Sequence, residues 1–240
     1  MTRAAVGVLA LALVLAPAGS ATDQARLSVF AASSLTEVFP AIDRGPSYSF
    51  AGSNQLAFQI RQGAPADVFA SAAPSYVHEL FRDGLVERPR TFAANALVLA
   101  VPRSNPSRVR TMWDLRDKNV RLVVGTATVP IGDYTRRVLR RLGLTSILDK
   151  AVSQEPDVKS IVGKLALAEA DAGFVYRTDV RAASGRLRAV SIPAWAQPAV
   201  RYQVAVVRAS RSRAAARRYV ESLSTPRAKR LLRNAGFAVP

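Results

Sequence analysis

Cysteine is absent from the 240 residues, and histidine occurs once, at His78. These two facts exclude disulfide scaffolds, Cys-based zinc sites, iron–sulfur clusters and thiol catalysis, and they leave no His-rich metal site to build. Acidic residues are scarce, 17 against 34 Lys plus Arg, which gives a formal charge of +17. Aromatics make up only 7% of the chain, and Phe69, Phe174 and Tyr176 fall inside apolar strand patterns. Basic charge without interleaved exposed aromatics lacks the stacking platform of a single-strand-binding protein. The basic excess is nearly all arginine, a bias that GC-rich coding produces with no functional content. After the first residues no run is long and apolar enough to span a membrane. What the sequence does contain is an apolar fraction of 49%, enough for a packed core and too much for a disordered chain.

The start of the chain reads as an export signal. Met1-Thr2-Arg3 supplies a short positive start, Ala4 to Ala16 is an unbroken run of Ala, Val, Gly and Leu, and small residues follow up to Ala21. Residues 1–21 are expected to be a signal peptide cleaved after Ala18 or Ala21. With no cysteine to carry a lipid, the mature chain is expected to be a free monomer in the periplasm or otherwise outside the cytoplasm. Export weighs against DNA or RNA as a partner.

Beyond it, short apolar runs alternate with helical patterns. Strands are expected at Arg26 to Phe30, Tyr48 to Ala51 and Val68 to Ser71. Helices are expected at Leu35 to Ile42, at Asn54 to Gln62 with Ser53 as N-cap, and at Pro74 to Asp83. A second block has strands at Ala96 to Val101, Arg121 to Gly125, Gly173 to Tyr176, Leu187 to Ile192 and Tyr202 to Arg208. Its helices run from Ile131 to Leu142 and from Val158 to Ala168. Two more close the chain, Ser212 to Leu223 and Pro226 to Asn234, the last capped by Thr225 and ended by Gly236. Alternating strands and helices predict an α/β fold with mostly parallel sheets. Two such blocks predict two lobes with a cleft between them: 22–95 plus 208–240 as lobe one, 96–207 as lobe two.

In open α/β sheets ligands sit where strands end and helices begin. The corners here are Ala31-Ala32-Ser33-Ser34, Ala51-Gly52-Ser53-Asn54, Thr126 to Gly132, and Glu155-Pro156-Asp157-Val158. They are rich in Ser, Thr, Gly and Pro and contain no Lys or Arg. Neutral hydroxyls and helix-start N–H groups suit a small, fully ionised oxyanion. Enzyme readings find no support: no GxSxG elbow, Walker loop or HExxH occurs, and Ser33, Ser34 and Ser53 have no base beside them in sequence. His78 reads as a plain helix-face residue, and Glu169 and Asp171 as a solvated pair around a turn.

Five blocks now form a pattern: Phe30 to Thr36, Phe50 to Ala72 with its GAPADVFASA stretch, Val129-Pro130-Ile131-Gly132-Asp133-Tyr134, Asp157-Val158, and Gly173-Phe174-Val175-Tyr176. In this order they closely resemble the periplasmic molybdate-binding proteins of ABC transporters, within the type II solute-binding proteins. The resemblance implies a two-lobed periplasmic-binding-protein-like fold that holds molybdate, and tungstate with it, as ligand rather than cofactor. It also implies a membrane permease as partner. Ser34 and Ser53 would each give a hydroxyl and an N–H, Ile131 and Val158 an N–H each, and Tyr176 its phenol. The metal would be held through its oxygen atoms alone. Sulfate or phosphate is the alternative oxyanion, while a ferric site would want a Tyr pair with His or carboxylates. The sequence departs from the family pattern in a short stretch from Pro40 to Tyr48, in Phe58 where an Arg is common (expected to be a packing change), and in Ile131 where a small residue is common.

Overall fold

The computed structural model describes residues 26–240, so the expected signal segment lies outside the described residues. The first sheet is built from β1 (Ser28–Ala32), β2 (Ser47–Ala51), β3 (Val68–Ser71), β4 (Arg90–Asn95) and β10 (Val200–Val206), in the order β2-β1-β3-β10-β4. The second is built from β5 (Leu97–Pro102), β6 (Leu122–Gly125), β7 (Ala151–Glu155), β8 (Ala172–Tyr176) and β9 (Leu187–Ser191), in the order β7-β6-β8-β5-β9. In each, three strands run parallel side by side and an antiparallel strand follows, β10 against β3 and β5 against β8. Inner strands such as β5, with every residue buried, read as unbroken apolar runs because helices cover both faces.

Sheet one is flanked by α1 (Val38–Ile42), α2 (Ser53–Arg61), α3 (Pro74–Arg82), α8 (Arg213–Ser222) and α9 (Pro226–Ala235). Sheet two is flanked by α4 (Asp114–Asp117), α5 (Pro130–Leu142), α6 (Val158–Ala166) and α7 (Arg177–Ala182). This is the expected two-lobed arrangement of mixed, mostly parallel sheets.

One boundary differs. The strand expected in lobe two near Tyr202 lies in the first sheet, where Ala205 is opposite Phe69 and Val200 opposite Asn95. The return to lobe one is therefore complete by Val200, not at 208. An apolar run announces a strand, but its partner is a long-range choice that the run does not encode. The strands β4 and β7 were not expected: only Phe92 and Ala93 of β4 are fully buried, and β7 is an edge strand with alternating exposure. Leu35 to Ile42 is a 3-10 turn at Ser33–Leu35 followed by the short α1, in place of one helix.

The chain crosses between lobes at Asn95–Leu97 and again between β9 and β10. Gln197 ties the crossings together: its Nε2 donates to the Leu97 carbonyl at 2.8 Å, and the Leu97 N–H donates to its Oε1 at 3.2 Å. The side chain thus supplies a rung that the backbone lacks. On α8 and α9, Ala216, Tyr219, Val220, Ala228 and Leu232 are buried while Arg213, Arg217, Arg218, Arg227, Arg230 and Arg233 are exposed, the solvated outer face of an amphipathic pair.

Candidate functional site

Where β1, β2, β3, β6 and β8 end, and where α6 begins, the two lobes face each other around a small, tightly closed cavity. Ser34, Ser53, Ile131, Val158 and Tyr176 all line it, joined by Ser33, Gly52, Ala72 and Asp157. The five expected residues are between 1% and 4% exposed, so the lobes are closed over the space between them.

The donors follow from local structure. Ser53 opens α2, Val158 opens α6, and Ile131 follows the Pro130 that opens α5. An N–H in the first turn has no carbonyl to reach within its own helix, so all three can point into the cavity. On α6 the Asp157 side chain caps the next two, accepting from Lys159 N–H at 2.7 Å and Ser160 N–H at 3.1 Å. Its charge is spent on its own helix and the Val158 N–H stays free. The helix starts of α2, α5 and α6 converge, and no Lys or Arg lines the cavity.

Ser53 is not the N-cap that the sequence suggests. Gly52 holds that place, and Ser53 Oγ accepts from the Ala72 N–H at 3.1 Å. Its hydroxyl proton is left to face the cavity. Ser34 Oγ lies 2.8 Å from Tyr202 Oη, and Asn95 Nδ2 is 3.5 Å from the same phenol. If Tyr202 accepts from Asn95 and donates to Ser34, the Ser34 proton is also free. Tyr202 was missing from the sequence-derived set; the available signal was a Tyr inside a buried strand, whose hydroxyl needs a partner. Burial pushes both Tyr176 and Tyr202 well above the ordinary phenol range, so both stay protonated donors. The Tyr176 hydroxyl is buried with no hydrogen-bond partner among the described residues, an arrangement that costs about 1–3 kcal/mol if left unmade.

Ile131 has room for its larger side chain because its Cγ2 lies over Gly125, only 2.8 Å from where a Cβ there would stand. Phe58 is 61% exposed on α2, so it is not the packing change expected of it. His78 is on the exposed face of α3, as read from sequence. Asp171 departs from expectation: it is buried, and Arg121 Nη2 pairs with it at 2.7 Å, while Glu169 is exposed. Sequence spacing placed the two around one turn but could not show that only one faces the β6 start.

Residues 47–238 match the family model of bacterial extracellular solute-binding proteins. The chain belongs to this family. As a solute-binding protein it works outside the cytoplasm, and its relatives are binding proteins rather than enzymes. It is 33% identical to the molybdate-binding protein ModA of Mycobacterium tuberculosis, over 93% of this chain and 88% of that one. It is 30% identical to ModA of Escherichia coli, over 95% of each. Among solved structures, the substrate-binding domain of a putative molybdenum ABC transporter from Clostridium difficile superposes with a TM-score of 0.67 at 28% identity, over 90% of this chain and 99% of that one. The solute-binding protein is thus similar to molybdate-binding proteins along nearly its whole length.

Proposed function

We propose that the protein captures molybdate, and tungstate with it, between its lobes and delivers it to the permease of an ABC importer. On this reading it acts as a monomer after removal of its signal peptide, with no lipid anchor, and Ser34, Ser53, Ile131, Val158 and Tyr176 are the ligand residues. The observation that carries the proposal is the Tyr176 hydroxyl, without a partner among the described residues, at a buried cavity where helix-start N–H groups and serine hydroxyls meet and whose one carboxylate, Asp157, is capped onto its own helix. An anion there supplies the acceptor that the phenol lacks. Hydrogen bonds to a charged acceptor are worth about 1.5–3 kcal/mol each. Five to seven of them, less ordering and desolvation, are enough for micromolar to nanomolar binding.

Selection against sulfate follows from size, because the same charge and shape on shorter bonds leaves some donors out of reach. Selection against phosphate follows from chemistry: a protonated oxygen is itself a donor, and the free groups around this cavity are donors too. Calorimetry with molybdate, tungstate, sulfate and phosphate on the mature chain tests both arguments. Molybdate and tungstate are expected to bind at least about a hundredfold more tightly than the others, the effect of two donors left unpaired. Ser34→Ala and Ser53→Ala are each expected to weaken molybdate binding by roughly ten- to hundredfold. Equal affinity for sulfate would overturn the size argument, and unchanged binding in both Ser variants would overturn the site.

A further inference from the structure

Beside the cavity, outside the five proposed ligand residues, one cation touches both lobes. Lys159 Nζ lies 2.7 and 2.8 Å from the two carboxylate oxygens of Glu37. Glu37 belongs to lobe one, between the Ser34 turn and α1, while Lys159 sits in the first turn of α6 in lobe two. The same ammonium is 3.3 Å from Asp179 Oδ1, close enough for charge attraction though not in hydrogen-bond alignment. Asp179 is fully buried, and its other oxygen accepts the Tyr176 N–H at 3.0 Å. Lys159 therefore follows the Val158 donor in sequence, reaches through Asp179 to the backbone of Tyr176, and closes onto lobe one.

We propose that Glu37 and Lys159 form an ion-pair latch across the cleft, with Lys159 as a positioning residue that couples lobe closure to the Val158 and Tyr176 donors. The pair spans two lobes that meet only when closed, so it favours the closed form without touching the anion. Glu37 is about half exposed and Lys159 about a quarter, so the latch is salt-sensitive and of modest strength. The inference rests on the anion-binding function proposed above, and its test separates the two.

The absence of cysteine allows two labels to be introduced, at Phe58→Cys on α2 and Leu167→Cys beyond α6, both exposed positions in opposite lobes. Energy transfer between them reads lobe separation with and without molybdate. Glu37→Gln is the main variant because Lys159 keeps Asp179 as a partner and folding is spared; Glu37→Asp is the conservative one. At low salt, Glu37→Gln is expected to shift the unliganded population toward the open form and to release molybdate roughly two- to fivefold faster, with association unchanged. Glu37→Asp should fall between it and the parent chain, and 0.5 M NaCl should remove the difference. Equal lobe separation and equal release rates at low salt overturn the latch, as does a difference that salt leaves untouched. If the parent chain binds none of the four oxyanions, the function fails, while the unliganded lobe separation still decides the latch.

Discussion

Asp179 is the residue whose ionisation the fold resists most visibly. Burial pushes its carboxyl up to about 6, against the pull of Lys159 and of the Tyr176 N–H. The sign of the effect on stability follows. Below about pH 4 both folded and unfolded chains carry the proton, and the group is neutral in the balance. As pH rises from there to about 6 the unfolded chain ionises first, so stability is lost, and the loss is complete above the folded value. Asp179→Asn keeps an oxygen for the Tyr176 N–H and has no proton to lose. Urea denaturation should find it matched to the parent at pH 4 and more stable at pH 8, by up to roughly 3 kcal/mol. A variant less stable than the parent at pH 8 would show that the attraction to Lys159 outweighs burial.

At the scale of elements, α9 shows how much a short stretch of sequence can specify. Thr225 Oγ1 accepts the Ala228 N–H, Pro226 opens the helix, and Gly236 ends it in the left-handed conformation. Each signal acts within four residues, which is why the helix could be read almost to its ends. Thr225→Ala should cost about 1 kcal/mol in thermal unfolding. Because α9 lines no part of the cavity, molybdate affinity should be unchanged, and a parallel loss of binding would tie this helix to closure. The corners around the cavity were legible for the same reason, since composition over a few residues carries the chemistry there; the choice of Ser34, Ser53, Ile131 and Val158 within them came from the family resemblance. The second rank was not. Tyr202 reaches Ser34 across 168 residues and Lys159 reaches Glu37 across 122, and no local pattern encodes such meetings. The sheet that receives β10 and the pairing of Asp171 with Arg121 were hidden for the same reason.

For the whole molecule, the formal charge of +17 contrasts with a cavity that no Lys or Arg lines. The arginine-rich face of α8 and α9 makes a field that attracts any anion, and added salt screens it. On the proposed reading, selection belongs to donors that carry no charge. The two lobes also meet closely at Gly52, where a Cβ would stand 2.6 Å from the Pro156 carbonyl oxygen of the opposite lobe. Gly52 has φ −60°, so Ala fits its backbone; the obstacles are the Pro156 carbonyl and, at 2.7 Å in its own lobe, Asn54 Oδ1, the end of a side chain that can turn aside. Gly52→Ala should act as a wedge: small-angle scattering should show less contraction on adding molybdate, and affinity should fall by about tenfold or more. The unliganded melting temperature should stay close to that of the parent, since within its own lobe the wedge meets only the movable Asn54 side chain and the fixed backbone obstacle arises on closure. Full contraction in the variant would mean that the opposing backbone yields.

That tight seam also sets a clock. With its walls buried, a closed cavity would hold the proposed anion until the lobes part. On that reading residence time would become a property of the hinge rather than of the ion's own bonds. An acceptor that pries the lobes apart would obtain its cargo at once, and one that merely waits would not.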